Sequence, residues 1–484
     1  MMATIVAPIS TTFQSFSLLS WLGSAYLIAG AAIQPLTGRI TDIYGRRAGM
    51  VWSNILFALG NVLCGLATSE WHMITGRVIA GLGGGGLLSI SNIVANDLLP
   101  LRKRGLWQGI GNIFLGIGTG AGGIFGGWIN DSWGWRTAFM VQVPPTIVAA
   151  ILVFFFVRIP TIKSPEHSTN RIDFLGSVCL IASLVLLLVG LNSGGNQIPW
   201  THPLIAITLT LSLATLCAFI YIEDNIASEP IIPVKLLLNR TVAAACLTNW
   251  FILMSLYGLY FYAPIYFRVI GLSTAQSGLQ LLPQGIGIGI GSLVAGIIIK
   301  RIGSYMNVHY IAITVYVLAC SLICTVRLNT TPWLPFSYIL LSGLGFGAVL
   351  TVTMIALIAA VDRAHQAVVT SASYAFRSTG STIGITIASA VFQNVLNTQL
   401  QGRLGGMPNA ETEIKKIRDD FDHIDKVPLG WHDSVINSYM VSLQAVWFTI
   451  LGFAILAAIS SMALRQHKLY SNLARTVASE PAVP

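Results

Sequence analysis

Charge is scarce in this chain. Only 9% of its 484 residues are Asp, Glu, Lys or Arg, against 54% that are hydrophobic, whereas a soluble domain covers itself with roughly 25% charge. A soluble globule of this composition would expose large apolar patches, so the bilayer is the solvent. Acids are the rarer sign, 18 against 27 bases, and none stands near the middle of an apolar run. The six cysteines, Cys64, Cys179, Cys217, Cys246, Cys320 and Cys324, all lie within apolar runs and show no zinc-like Cys/His spacing. They read as packed free thiols, and no metal site is expected. The first residues lack a basic n-region and a cleavage site, so no cleavable signal peptide is visible.

What is abundant is long apolar sequence. Segments of about 20 residues, the length that spans a bilayer, recur near 20–37, 49–67, 72–95, 106–128, 138–157, 172–191, 202–222, 242–263, 278–299, 308–326, 336–358, 373–394 and 441–463. They predict thirteen spanning helices. Met1 to Ile9 reads as the tail of a fourteenth whose beginning is missing, because half a helix leaves backbone groups unsatisfied across the bilayer. Lys and Arg collect on alternate short loops: Arg39, Arg46 and Arg47; Arg102, Lys103 and Arg104; Arg158, Lys163 and Arg171; Lys235 and Arg240; Lys300 and Arg301; Arg363; and the tail. That side is expected to be cytoplasmic. The net charge of +9 is thus spread loop by loop and explained by topology, not by nucleic-acid binding.

The first cytoplasmic loop carries Gly38-Arg-Ile-Thr-Asp42-Ile-Tyr-Gly45-Arg46-Arg47. A carboxylate and arginines on a tight glycine turn are costly inside lipid and natural just outside it. Asp42 can accept hydrogen bonds from a neighbouring helix N-terminus or from arginines, and Arg46 and Arg47 can reach carboxylates or lipid phosphates. The loop is therefore expected to act as a gate. A positive-inside anchor alone would account for the arginines but not for the acid among glycines.

Arg77 lies inside an apolar run, where a guanidinium costs a few kcal/mol unless it meets water or a carboxylate. It is a candidate for coupling or translocation, the alternative being an arginine that snorkels to the interface. Arg377 is a second candidate, placed close to the cytoplasmic start of its run. Gly118, Gly122, Gly126 and Gly127 are expected to let helix backbones approach so that two bundles can rock; they follow no strand and cannot be nucleotide loops. Tyr26, Gln34, Gln108, Asn112, Gln142, Asn249 and Tyr260 are polar groups at membrane depth that could line a wet cavity or simply bond a neighbouring helix.

Gly38-x3-Asp42-x2-Gly45 recurs as Gly296-x3-Lys300-x2-Gly303, where halves related by an axis along the membrane normal would place it. With these motifs the chain resembles the major facilitator superfamily. Ile74-Thr-Gly76-Arg77, followed by Gly81, Gly83 and Gly84, is similar to its second motif. Gly109-x8-Gly118-x3-Gly122-Gly123-x2-Gly126-Gly127 follows its antiporter motif, with Gly123 where proline is usual. Tyr262-Ala-Pro264 and Gly278-x4-Pro283 are similar to later spans of its fourteen-span drug:proton antiporter branch, from which Arg268 departs. Arg104-x3-Gln108-Gly109-x2-Asn112 and Asn130-Asp131-x-Trp133-Gly-Trp135-Arg136 resemble the fungal vacuolar basic amino acid transporters.

The resemblance implies an all-α integral membrane protein of the major facilitator fold, with 13–14 helices in two pseudo-symmetric bundles. It implies an N-terminal bundle over 1–171, two extra spans and a linker over 172–241, and a C-terminal bundle over 242–484 with a lumenal loop at 395–440. It also implies a monomer without cofactor and without enzymatic activity, whose partners are a small-molecule substrate, protons and lipid. The substrate would be lysine, arginine or histidine, moved into the vacuole against protons. A plasma-membrane drug exporter and a non-transporting amino-acid sensor remain open. Family members usually carry an aspartate in the first span, and here Met1-Met2-Ala3-Thr4-Ile5-Val6 begins where it would stand. Either the start is incomplete, or coupling has been lost or rests on other groups. Asn329-Thr-Thr331 is a glycosylation acceptor by pattern.

Overall fold

Apolar runs of this length fold as helices because lipid offers no partner for backbone N–H and C=O groups, which must be satisfied within their own segment. The computed structural model describes residues 17–99, 101–158, 174–194, 201–226, 238–272, 274–331, 333–362, 365–404 and 430–467, with a few single positions between and before these. Among them there is no β-strand. The helices are α1 (Ser17–Tyr44), α2 (Arg46–Gly65), α3 (Glu70–Leu98), α4 (Leu101–Trp133), α5 (Trp135–Met140), α6 (Val143–Phe156), α7 (Phe174–Ser193) and α8 (Pro203–Asn225). They continue with α9 (Arg240–Val269), α10 (Thr274–Leu279), α11 (Leu282–Ile302), α12 (Met306–Ile323), α13 (Trp333–Ala359), α14 (Gln366–Leu404) and α15 (His432–Ser461).

The short helices α5 and α10 each continue into the next helix. One break precedes Pro144 and Pro145, the other Pro283, residues that lack the N–H an uninterrupted helix would use. Counting each pair as one rod, the expected thirteen runs are all helical. Nine helices among the described residues are long and apolar enough to cross a membrane. On α6 no residue is buried, and Phe154, Phe155 and Phe156 point outward as a lipid-facing surface.

Hydropathy misplaces the ends of α14. The expected run is 373–394, while the helix covers Gln366–Leu404, about 58 Å at 1.5 Å per residue. Apolarity stops at the membrane surface; a helix need not. Arg377, expected near an interface, consequently sits eleven residues into the helix and is buried. Glu223, likewise expected outside a span, is buried in the last turn of α8.

One half of the molecule packs α1 and α2 on α3 and α6 on α2. The other packs α9 on α14 and α15, and α11 and α12 on α13, around a large apolar core. The halves meet where α4 lies along α11 and α1 lies along α14. Helices α7 and α8 pair with each other, with α7 against α1 and α14. Within the first half the close fit rests on α3 glycines: a Cβ at Gly83 would meet the α2 backbone at Ser53 and Phe57, and one at Gly85 would meet Gly30 of α1. In lipid such van der Waals fit, not hydrophobic exclusion, holds helices together.

The repeated loop motif has a structural meaning in both halves. Gly45 (φ 89°) turns the chain from α1 into α2, and Gly303 (φ 75°) turns it from α11 into α12, a left-handed conformation that favours glycine. Beside Gly303, Gln466 beyond α15 accepts from the N–H groups of Tyr305 (3.2 Å) and Met306 (3.3 Å), capping α12. Ahead of α1, the helical positions Ile5 and Ile9 are fully buried beside Leu22, Met73 and Phe139.

Candidate functional site: a latch and a buried polar seam

Gly45 places the first residue of α2, Arg46, over the last turns of α1 and α3. Its Nη2 pairs with Asp42 Oδ1 at 2.6 Å and its Nε with Asp97 Oδ2 at 2.9 Å, while Nη1 donates to Thr41 Oγ1 at 2.7 Å. One guanidinium thus ties three helix ends together, using the planar fork that distinguishes arginine from lysine. Both acids sit at helix C-termini, the end where a carboxylate gains nothing from the macrodipole, so the arginine is what holds them. Arg47 turns outward, 4.1 Å above the ring of Phe154. Gly38 brings α1 against α14: a Cβ there would stand 2.8 Å from Ser371 Oγ and 3.3 Å from the Ala367 carbonyl oxygen.

The two halves are closed on this face. Along α1 and α14, Thr37 and Ser371 hydroxyls are 3.5 Å apart and Ser378 donates to Gln34 Oε1 at 2.7 Å. Along α4 and α11, Asn112 Nδ2 donates to Ser292 Oγ (2.7 Å), which donates on to the Gly347 carbonyl of α13 (2.7 Å). Gly116 and Gly285 stand so close that a Cβ on either would strike the other's backbone. Two of the expected glycines touch no neighbour. A Cβ at Gly118 or Gly127 would meet nothing within 4 Å, because two residues turn a helix by about 200° and Gly118 faces away from the side that Gly116 presents. Gly126 is buried and Gly122 half-buried.

Arg77 is 9% exposed and reaches neither lumen nor carboxylate. Its Nε donates to the Leu22 carbonyl of α1 at 2.9 Å, and its guanidinium lies 4.6 Å from the centre of the Tyr26 ring. Tyr26 packs over Gly84, where a side chain would displace it. Across from α1, Tyr257 of α9 hydrogen bonds with Ser381 of α14 and stands edge-on to Tyr260 at 6.2 Å. Gln142, by contrast, sits at the break between α5 and α6, where its amide donates to the Ala138 carbonyl of its own chain turn; it is removed from the meeting point of the halves. The side chain of Gln108 lies outside the described residues.

A second buried cation was harder to foresee. Arg377 is 7% exposed, with Nη2 3.4 Å from Asn249 Oδ1 and its guanidinium 4.9 Å from the Tyr374 ring centre. Asn249 in turn donates to Ser373 Oγ (3.2 Å) and accepts from Thr353 Oγ1 (3.0 Å). The cluster joins α9, α13 and α14. Serines and threonines carry much of it, and in a single sequence they do not stand out from those that only bond their own helix. No carboxylate among the described residues pairs with Arg77 or Arg377, and none of their groupings could hold a metal ion.

Comparison with known proteins follows the same line. The chain is 35% identical over 481 residues to the Schizosaccharomyces pombe protein named multidrug resistance protein fnx1, covering 98% of this chain and 90% of that one. It is 31% identical to the vacuolar membrane amino acid uptake transporter fnx2 of the same yeast, covering 96% and 81%. It is 30% identical to vacuolar basic amino acid transporter 2 of Saccharomyces cerevisiae, covering 95% and 99%. The fold is similar to those of human organic anion transporter MFSD10 (TM-score 0.60, 15% identity, 92% and 84% covered) and a bacterial homologue of the lysosomal transporter Spinster (TM-score 0.59, 16% identity, 96% and 92% covered). The family model described as Major Facilitator Superfamily matches residues 1–385. The chain is a transporter of the Major Facilitator Superfamily.

Proposed function

We propose that this transporter moves basic amino acids, lysine, arginine or histidine, from cytosol into the vacuole in exchange for protons, with the latch face cytoplasmic. The observation that carries the reading is the charge of the buried centre. Two guanidinium groups, Arg77 and Arg377, lie at helix-bundle depth with amides, hydroxyls and tyrosines around them and no described carboxylate beside them. Such a site attracts the carboxylate end of an amino acid and repels a bare lipophilic cation, since unscreened like charges in a low-dielectric interior cost several kcal/mol. The tyrosine faces of Tyr257 and Tyr260 suit the cationic end. The name of the Saccharomyces cerevisiae transporter supports basic amino acids, and that of fnx2 supports amino acids.

The second reading, a proton-driven drug exporter of the plasma membrane, is favoured by the name of the 35% identical relative. Uptake of radiolabelled lysine, arginine and histidine into proton-pump-energised vacuole vesicles from cells making this chain separates them. Uptake that collapses with an uncoupler supports the proposal. Absence of uptake by a correctly inserted chain overturns it, with resistance to lipophilic cations pointing to export and binding without flux to a sensor.

A further inference from the structure

We infer that Arg377, Asn249, Thr353 and Ser373 form the subsite that takes the substrate's carboxylate. The inference rests on the amino-acid reading for the identity of the substrate, but the anion chemistry stands on geometry. All four residues are at least nine-tenths buried, on three different helices. The three neutral ones satisfy one another. The guanidinium is met only in part: it is hydrogen-bonded to Tyr374 and lies 3.4 Å from Asn249 Oδ1 through Nη2, while its Nε has no hydrogen-bond partner. Nε and Nη2 form one edge of the arginine fork, the edge that receives a carboxylate through two parallel N–H···O bonds. A buried cation without an anion is costly, and a buried donor left unmet adds to that cost. One carboxylate against this edge answers both.

Arg77 does not present the same vacancy, because its Nε is held by the Leu22 carbonyl and its face by Tyr26. The position of Arg377 also fits a route. It lies next to Ser378, which closes on Gln34, and six residues beyond Ser371, which closes on Thr37. Arg377 itself points about 100° around α14 from Ser378, toward α9, so parting α1 from α14 on the latch face would free α14 to shift against α9 and open the cluster to that side.

The test uses the full chain in nanodiscs and reads the melting temperature with lysine, lysine methyl ester, cadaverine and acetate as probes. The subsite predicts stabilisation by lysine at concentrations about tenfold or more below those needed for the ester or cadaverine, the size expected from losing charge-assisted hydrogen bonds. Arg377→Gln should abolish that preference, and Arg377→Lys should keep part of it. Asn249→Asp is the control for folding, since it supplies an internal carboxylate: it should stabilise the apo protein yet remove the response to lysine's carboxylate. An Arg377→Gln variant that still prefers lysine to its ester overturns the inference, as does a wild type with no Arg377-dependent response to any carboxylate. Lysine binding that ignores both the ester block and Arg377 leaves the amino-acid reading standing without this subsite. Arg377-dependent binding of acetate without any of lysine upholds the subsite and sinks the amino-acid reading.

Discussion

We propose that a single guanidinium governs the latch from within one half of the molecule. Arg46 bridges Asp42, Asp97 and Thr41, and all three bonds vanish together in Arg46→Ala, leaving two carboxylates near one another at helix C-termini. These bonds hold α1 against α2 and α3 within one half, so losing them should let α1 shift from α14 and the closed face open more often. A cysteine introduced at Ser371, buried in the seam, should react with a membrane-impermeant maleimide at least several-fold faster in the Arg46→Ala background. An unchanged labelling rate would mean that the ion pairs do not hold the gate. Arg77 allows the opposite kind of test. Arg77 is held by the Leu22 carbonyl and the Tyr26 ring, and removing a lone buried cation also removes its desolvation cost, so Arg77→Met should melt within a few degrees of the wild type while losing most uptake. A large fall in melting temperature with uptake retained would make Arg77 a structural strut between α1 and α3.

Between elements, the decisive contacts are those of glycine. Gly116 and Gly285 touch backbone to backbone, whereas Gly118 faces open space. Gly118→Ala should therefore be neutral or stabilising by up to about 1 kcal/mol through helix propensity, and Gly116→Val should separate α4 from α11 and cost about 1–3 kcal/mol of packing, read as a lower melting temperature with reduced uptake. The reverse order would place the seam on the other face of α4. This pair also marks the limit of what the sequence discloses. The helices, the turn at Gly45 and the acid–arginine loop are legible because apolarity, glycine and charge each have a local cause. Which glycine of a ladder meets a neighbour, and whether Asn112 faces Ser292 or its own turn, depends on helix rotation against a partner distant in the chain. Arg377 looked interfacial because hydropathy starts α14 seven residues late, and its serine and threonine neighbours carry no mark that separates them from ordinary helix-bonding hydroxyls.

At the scale of the whole molecule, transport requires that the two halves part on the face now closed and meet on the other, since a site near the midplane can serve both sides only if access alternates. The seam offers a direct check. Thr37 and Ser371 hydroxyls are 3.5 Å apart across α1 and α14, so cysteines in their place would set two thiols side by side. In a background with Cys64, Cys179, Cys217, Cys246, Cys320 and Cys324 replaced, the Thr37→Cys/Ser371→Cys pair should cross-link under mild oxidant, stop uptake, and recover it on reduction. Because the bond sits between Arg377 and the latch, it should also slow binding of lysine from the latch side while leaving the folded protein more stable to heat. Uptake that persists in the fully cross-linked protein would mean that α1 and α14 do not separate during the cycle, and the carboxylate subsite would then need an entrance from the opposite face.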